Sequence, residues 1–82
     1  MISDFTPRQK EVLRLISLGY TNIQIAEKLS ITYSTVKAYV RLIQTKLNVE
    51  NRTQCAIVGA DLLGIDSEMV FAEVRRLDAL KK

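Results

Sequence analysis

The chain has 82 residues, 48 % of them apolar, and a net charge of +3, which describes one small domain with a feasible core and leaves no room for two. One cysteine, Cys55, and no histidine exclude an internal disulfide and a Cys/His zinc site, and no cofactor signature is present. No apolar run approaches the length of a membrane span, and Met1-Ile2-Ser3-Asp4 lacks the basic-then-apolar layout of a signal peptide, so a cytoplasmic protein is the expectation.

The charge is not spread evenly. Residues 33–52 carry Lys37, Arg41, Lys46 and Arg52 against Glu50 alone, so the whole excess lies there and the rest of the chain is balanced. A local cationic stretch of this kind is what a surface meeting phosphates requires.

Helices are predicted throughout, and no strand. Thr6-Pro7 opens the first, with an N-cap hydroxyl, proline at the first helical position and Gln9 placed to complete a capping box. Val12, Leu13, Leu15 and Ile16 recur at helical spacing, and Gly19 is a natural stop. Thr21 with Gln24 opens the second helix, whose inward face is Ile25, Ala26 and Leu29. Tyr20 and Ile25 can form a hydrophobic staple around that cap, and Ile31 and Val36 repeat it around Thr32. Ser30-Ile31 is the turn between the second and third helices.

The third helix is predicted over about residues 33–47. At ~100° per residue, Val36, Val40, Ile43 and Leu47 make one apolar stripe, while Ser34, Lys37, Ala38, Arg41 and Thr45 lie opposite. There is no acid between Tyr33 and Val49, although a helix face meant only for water usually mixes both signs. A short capped helix, a tight turn and a longer helix with a cationic outer face have the layout of a helix-turn-helix, whose second helix enters the DNA major groove.

Asn51, with Gln54 three residues on, caps a fourth helix that ends near Leu63-Gly64. It shows two apolar stripes, Ala56, Ile57, Ala60 and Leu63 on one side, Val58 and Leu62 on another. One is expected to face the core and the other a second copy of the chain, with Cys55, Val58, Gly59 and Leu62 as the dimer interface. Cys55 reads otherwise as a small core residue. Asp66-Ser67 begins a fifth helix to about Leu80, with Val70, Val74 and Leu77 as its apolar line and Arg75, Arg76, Lys81 and Lys82 making its end basic. Arg8 and Glu11 are spaced for an ion pair.

The motifs T-P-R-Q-K-E-V-L at 6–13, T-N-I-Q-I-A-E-K-L at 21–29, S-T-V-K-A-Y-V at 34–40, K-L-N-V at 46–49 and N-R-T-Q at 51–54 resemble the LuxR-type (GerE-like) DNA-binding domain. The resemblance covers about residues 5–64. It implies an all-α, four-helix helix-turn-helix domain over residues 1–64, and residues 65–82 then form a C-terminal helical extension of the same domain. It also implies binding to double-stranded DNA as a homodimer through the fourth helix, with the third helix as reader. Gln9 stands where the family often has glutamate, Tyr39 where histidine is frequent and Ser30 where glycine is frequent. The N-terminal receiver or ligand-binding domain common in the family is missing from the sequence, which therefore reads as a stand-alone regulator without a sensor.

On the family's pattern, Lys37, Ala38 and Arg41 supply the base contacts: arginine and lysine can reach guanine O6 and N7, and the Ala38 methyl can touch a thymine methyl. Phosphate contacts are expected from helix starts and neighbouring donors, namely Thr21, Asn22, Ser34, Thr35, Tyr39, Lys46 and Arg52. The rival reading is a protein-interaction module that heterodimerises with full-length LuxR-type regulators. A sigma-factor region four shares part of the pattern, but that region normally follows other sigma domains. An enzyme is not expected: there is no histidine, no glycine-rich phosphate loop, and the carboxylates are scattered. No small-molecule ligand is evident.

Overall fold

The structure, a computed structural model, describes residues 2–80. It is all-helical: a single 3-10 turn at Ile2–Asp4 is followed by α1 (Pro7–Ser17), α2 (Asn22–Leu29), α3 (Tyr33–Leu47), α4 (Arg52–Leu63) and α5 (Ser67–Ala79), with no strand among the described residues. The all-α class and the additional fifth helix expected from the sequence are both present.

The helices begin where hydroxyl and amide side chains can take up orphan backbone N–H groups. Thr6 Oγ1 accepts from the Gln9 N–H at 3.2 Å while Gln9 Oε1 accepts from the Thr6 N–H at 3.0 Å, a complete capping box. Thr21 and Gln24 repeat it at 3.1 and 2.8 Å. Thr32 caps α3 through the Thr35 N–H at 3.1 Å. Asn51 caps α4 through the Gln54 N–H at 2.9 Å, but Gln54 Oε1 accepts from the Glu50 N–H at 2.7 Å, one residue before the cap. Asp66 caps α5 through the Met69 N–H at 2.9 Å. The basic end foreseen for α5 includes Lys81 and Lys82, which lie outside the described residues.

Left-handed residues close three of the helices. Ser30 ends α2 and Asn48 ends α3, both at φ 55°, and Gly64 ends α4 at φ 68°. Asparagine tolerates this region because its short polar side chain can bond locally; serine has less reason to be there.

The core is built around α1, which packs most extensively on α4 and also against α3, while α2 and α3 pair with each other. Val12, Leu13, Ile16, Ile25, Val36, Ile43 and Cys55 are fully buried. The predicted α3 stripe of Val36, Val40, Ile43 and Leu47 is buried along its length, and Tyr20 and Ile25, the staple around the α2 cap, share the same core.

The sides of α4 differ from expectation. Cys55 is 0 % exposed in the core and Gly59 is buried against α1, so both are unavailable to a partner. A Cβ on Gly59 would lie 2.6 Å from Leu13 Cδ1 and would also strike Ser17 Oγ, so only glycine lets the two backbones approach this closely. Ile57, expected on the inward stripe, is instead 65 % exposed, and Val58 and Leu62 are half-buried. Apolar residues surround α4 almost evenly, and small size rather than hydrophobicity selects its inner face.

The fifth helix lies across the α1–α2 corner. Val70 and Leu77 pack against the core, and Val74 Cγ2 would sit 3.2 Å from a Cβ on Gly19. A polar cluster pins it: the Tyr20 hydroxyl donates to Glu73 Oε2, Arg76 Nη2 donates to the Tyr20 hydroxyl at 2.8 Å, and Arg76 Nε donates to Glu73 Oε1 at 2.9 Å. Hydrogen bonds from Arg76 and then from Tyr20 hold the Glu73 carboxyl down to about 2, and burial followed by the Glu73 contact raises the Tyr20 phenol.

Candidate nucleic-acid interface

The outer face of α3 is uncovered. Ser34, Lys37, Ala38, Arg41 and Thr45 are all exposed, and at helical spacing they fall within about 100° of one another. α3 carries no carboxylate to offset the cations. Thr45 Oγ1 donates back to the Arg41 carbonyl at 3.0 Å, whereas the Arg41 guanidinium takes no internal partner among the described residues. Lys37 Nζ lies over the Tyr33 ring, 5.7 Å from its centroid. α5, on the α1–α2 corner, leaves this face open.

The first turns of α2, α3 and α4 meet beside it. Thr21, Asn22, Ile23, Tyr33, Arg52, Thr53 and Ile57 help to line one shallow groove of about 600 Å³. Thr21 and Thr32 are occupied as caps, and Thr35 Oγ1 lies 2.8 Å from Thr32 Oγ1, so Thr35 supports the start of α3 as well as facing solvent. Ser34 is exposed in the first turn, and Tyr39 is half-buried with its ring packed against the core.

Two of the cations expected at phosphates are engaged inside the protein. Arg52 Nη1 donates to Asn22 Oδ1 at 2.6 Å and Nη2 donates to the Tyr20 carbonyl, so its guanidinium ties the start of α4 to the start of α2. Burial depresses the Arg52 pKa. Lys46 Nζ donates to the Asp4 carbonyl at 2.8 Å and to Gln9 Oε1 at 2.9 Å, and lies 5.2 Å from the centroid of the Phe5 ring. It holds the N-terminal turn against the end of α3. The predicted pair of Arg8 with Glu11 forms at 3.5 Å on the surface, where its contribution is small.

Sequence reasoning missed two features. The Tyr33–Lys37 contact had a signal, the i,i+4 spacing of an aromatic residue and a cation. In the Tyr20–Glu73–Arg76 cluster the i,i+3 spacing of Glu73 and Arg76 was a signal, but the part of Tyr20, 53 and 56 residues away in the chain, had none. Among the described residues, no group of His, Cys, Asp or Glu could hold a metal ion, and no helix is long and apolar enough to cross a membrane.

Two helices joined by a tight turn, the second bearing an open cationic face and backed by α1 and α4, define a helix-turn-helix domain. The sequence profile of the family described as "Bacterial regulatory proteins, luxR family" matches residues 3–58, and the chain belongs to this family of DNA-binding regulators, which are not enzymes. It is similar to the two-component response regulator PprB of Pseudomonas aeruginosa, 46 % identical over 57 residues that cover 70 % of this chain and 21 % of that protein. It is 38 % identical over 56 residues to the nitrate/nitrite response regulator protein NarL of Escherichia coli strain K12, covering 68 % of this chain and 26 % of NarL. It is 48 % identical over 52 residues to the transcriptional regulatory protein LiaR of Bacillus subtilis, covering 63 % and 25 %. The chain thus spans about a quarter or less of the length of these relatives.

Proposed function

We propose that this chain is a sequence-specific transcription regulator that binds double-stranded DNA in the cytoplasm as a homodimer, with α3 in the major groove. The observation that carries the reading is the open, acid-free face of α3. Arg41 and Lys37 are placed to reach guanine O6 and N7, and Ala38 between them is small enough for the helix backbone to approach the bases. Thr21, Asn22, Ser34 and Thr35, at the starts of α2 and α3, supply phosphate contacts through hydroxyls and backbone N–H groups. Tyr39 can add its hydroxyl from the flank. Lys46, which is exposed, and Arg52, which is partly buried, contribute positive potential and keep N–H donors beyond those they spend on the protein.

Each copy presents one reading helix, so two copies would read two half-sites about one helical turn apart. Val58 and Leu62, about 100° and 140° round α4 from Ile57, are half-buried against the core, while the exposed side of α4 at Ile57 supports pairing there. It replaces the assignment that included Cys55 and Gly59. A solely protein-binding role would leave the exposed, acid-free setting of Lys37 and Arg41 on α3 unexplained.

The test is Arg41→Ala. On a preferred site selected from random DNA it should cost about 1–3 kcal/mol and flatten sequence preference. If binding weakens equally on every sequence, Arg41 is a phosphate ligand and α3 does not read bases through it.

A further inference from the structure

We propose that Tyr33 is a positioning residue for recognition: its ring holds the Lys37 ammonium over the reading face before DNA arrives and so sets discrimination at the base pair that Lys37 meets. The proposal rests on the base-reading role given to Lys37 above. Tyr33 is the first residue of α3 and is 49 % exposed. Its ring helps to line the groove shared with Ile23, Arg52 and Ile57, and Lys37 Nζ, one turn on, sits 5.7 Å from the ring centroid.

A lysine at this place needs such a hold for two reasons. The partial positive charge at a helix start, strongest in the first turn and weaker at Lys37 in the second, disfavours a cation, and α3 has no acid there to compensate. The negative face of an aromatic ring offsets part of that repulsion. Lysine is also a point charge on a flexible four-carbon stem, without the planar fork that orients arginine. Left free, it finds the nearest phosphate, where it adds affinity for any sequence and discrimination for none. Resting on Tyr33, at the edge of the open face, its ammonium keeps one defined place beside the other reading side chains.

The experiment compares the natural chain with Lys37→Ala, Tyr33→Phe and Tyr33→Leu on a panel of single-base-pair variants of a site selected from random DNA, at several salt concentrations. Tyr33→Phe keeps the ring and should keep the preference profile. Tyr33→Leu keeps apolar bulk in the groove but loses the ring. It should lose about three- to tenfold of preference at the base pair where Lys37→Ala loses it, with positions read through Arg41 unchanged and a salt slope no shallower than the natural chain's, since the released ammonium can meet phosphate instead. Thermal melting confirms that each variant folds. If Lys37→Ala loses preference and Tyr33→Leu does not, the positioning role is overturned and the base-reading role stands. Should Lys37→Ala leave every preference intact, the base-reading role of Lys37 fails, and the positioning role with it. A Tyr33→Phe variant that weakens all sequences alike and lowers the salt slope would make the hydroxyl a phosphate ligand and overturn the proposal.

Discussion

Single residues show how the same side-chain chemistry divides between folding and binding. Ser30 and Asn48 both end helices at φ 55°, yet only asparagine suits that conformation. Ser30→Gly should therefore raise stability by about 1 kcal/mol, read as a higher melting temperature, with DNA affinity unchanged. A lower melting temperature would mean that the serine hydroxyl contributes more than its backbone costs. The strain at Ser30 was legible in the sequence, since a serine stands at a turn position that favours glycine. The inward engagement of Arg52 and Lys46 was not. Each divides its bonds between a main-chain carbonyl, of Tyr20 or Asp4, which every residue has, and a side-chain amide, of Asn22 or Gln9, 30 or 37 residues away in the chain. A sequence therefore cannot distinguish a cation that faces phosphate from one that braces a helix start.

Among the elements, α3 was readable because its buried and open sides differ sharply in chemistry, and periodicity alone separated them. The sides of α4 were not, because the chain packs two small residues, Cys55 and Gly59, inward and leaves Ile57 to solvent. The docking of α5 depends on Tyr20, Glu73 and Arg76 meeting across the molecule, which local pattern does not encode. That cluster makes the attachment of α5 acid-sensitive. The folded Glu73 carboxyl titrates at about 2, below its ordinary 4.5, so its contribution is fully present above about pH 4.5 and is lost as the pH falls towards 2. Hydrogen exchange between pH 6 and 2 should show α5 amides losing protection ahead of the α1–α4 core, and Glu73→Gln should lessen that pH dependence. If α5 instead loses protection in step with α1, the carboxylate is not what fastens it.

At the scale of the whole molecule, the open α3 face and the exposed side of α4 would serve two surfaces of one assembly. Ile57→Asp places a charge at a solvent-facing position, so the monomer should melt as before. Sedimentation should show weakened self-association, and binding to DNA with two half-sites should fall by more than binding to one half-site, which itself feels the new charge through the groove that Ile57 lines. A dimer that sediments unchanged would move the contact away from Ile57. The helix caps add a consequence for that assembly. α1 to α4 begin on Thr6, Thr21, Thr32 and Asn51, none of which ionises, and the carboxylate cap, Asp66, belongs to α5. At Gln9 and Gln24 an amide closes the capping box that a glutamate could close equally well. A helix opening on neutral groups keeps its full partial positive charge facing outward and brings no anion towards a polyanionic partner. Attachment to the double helix near neutrality should then respond to ionic strength far more than to acidity.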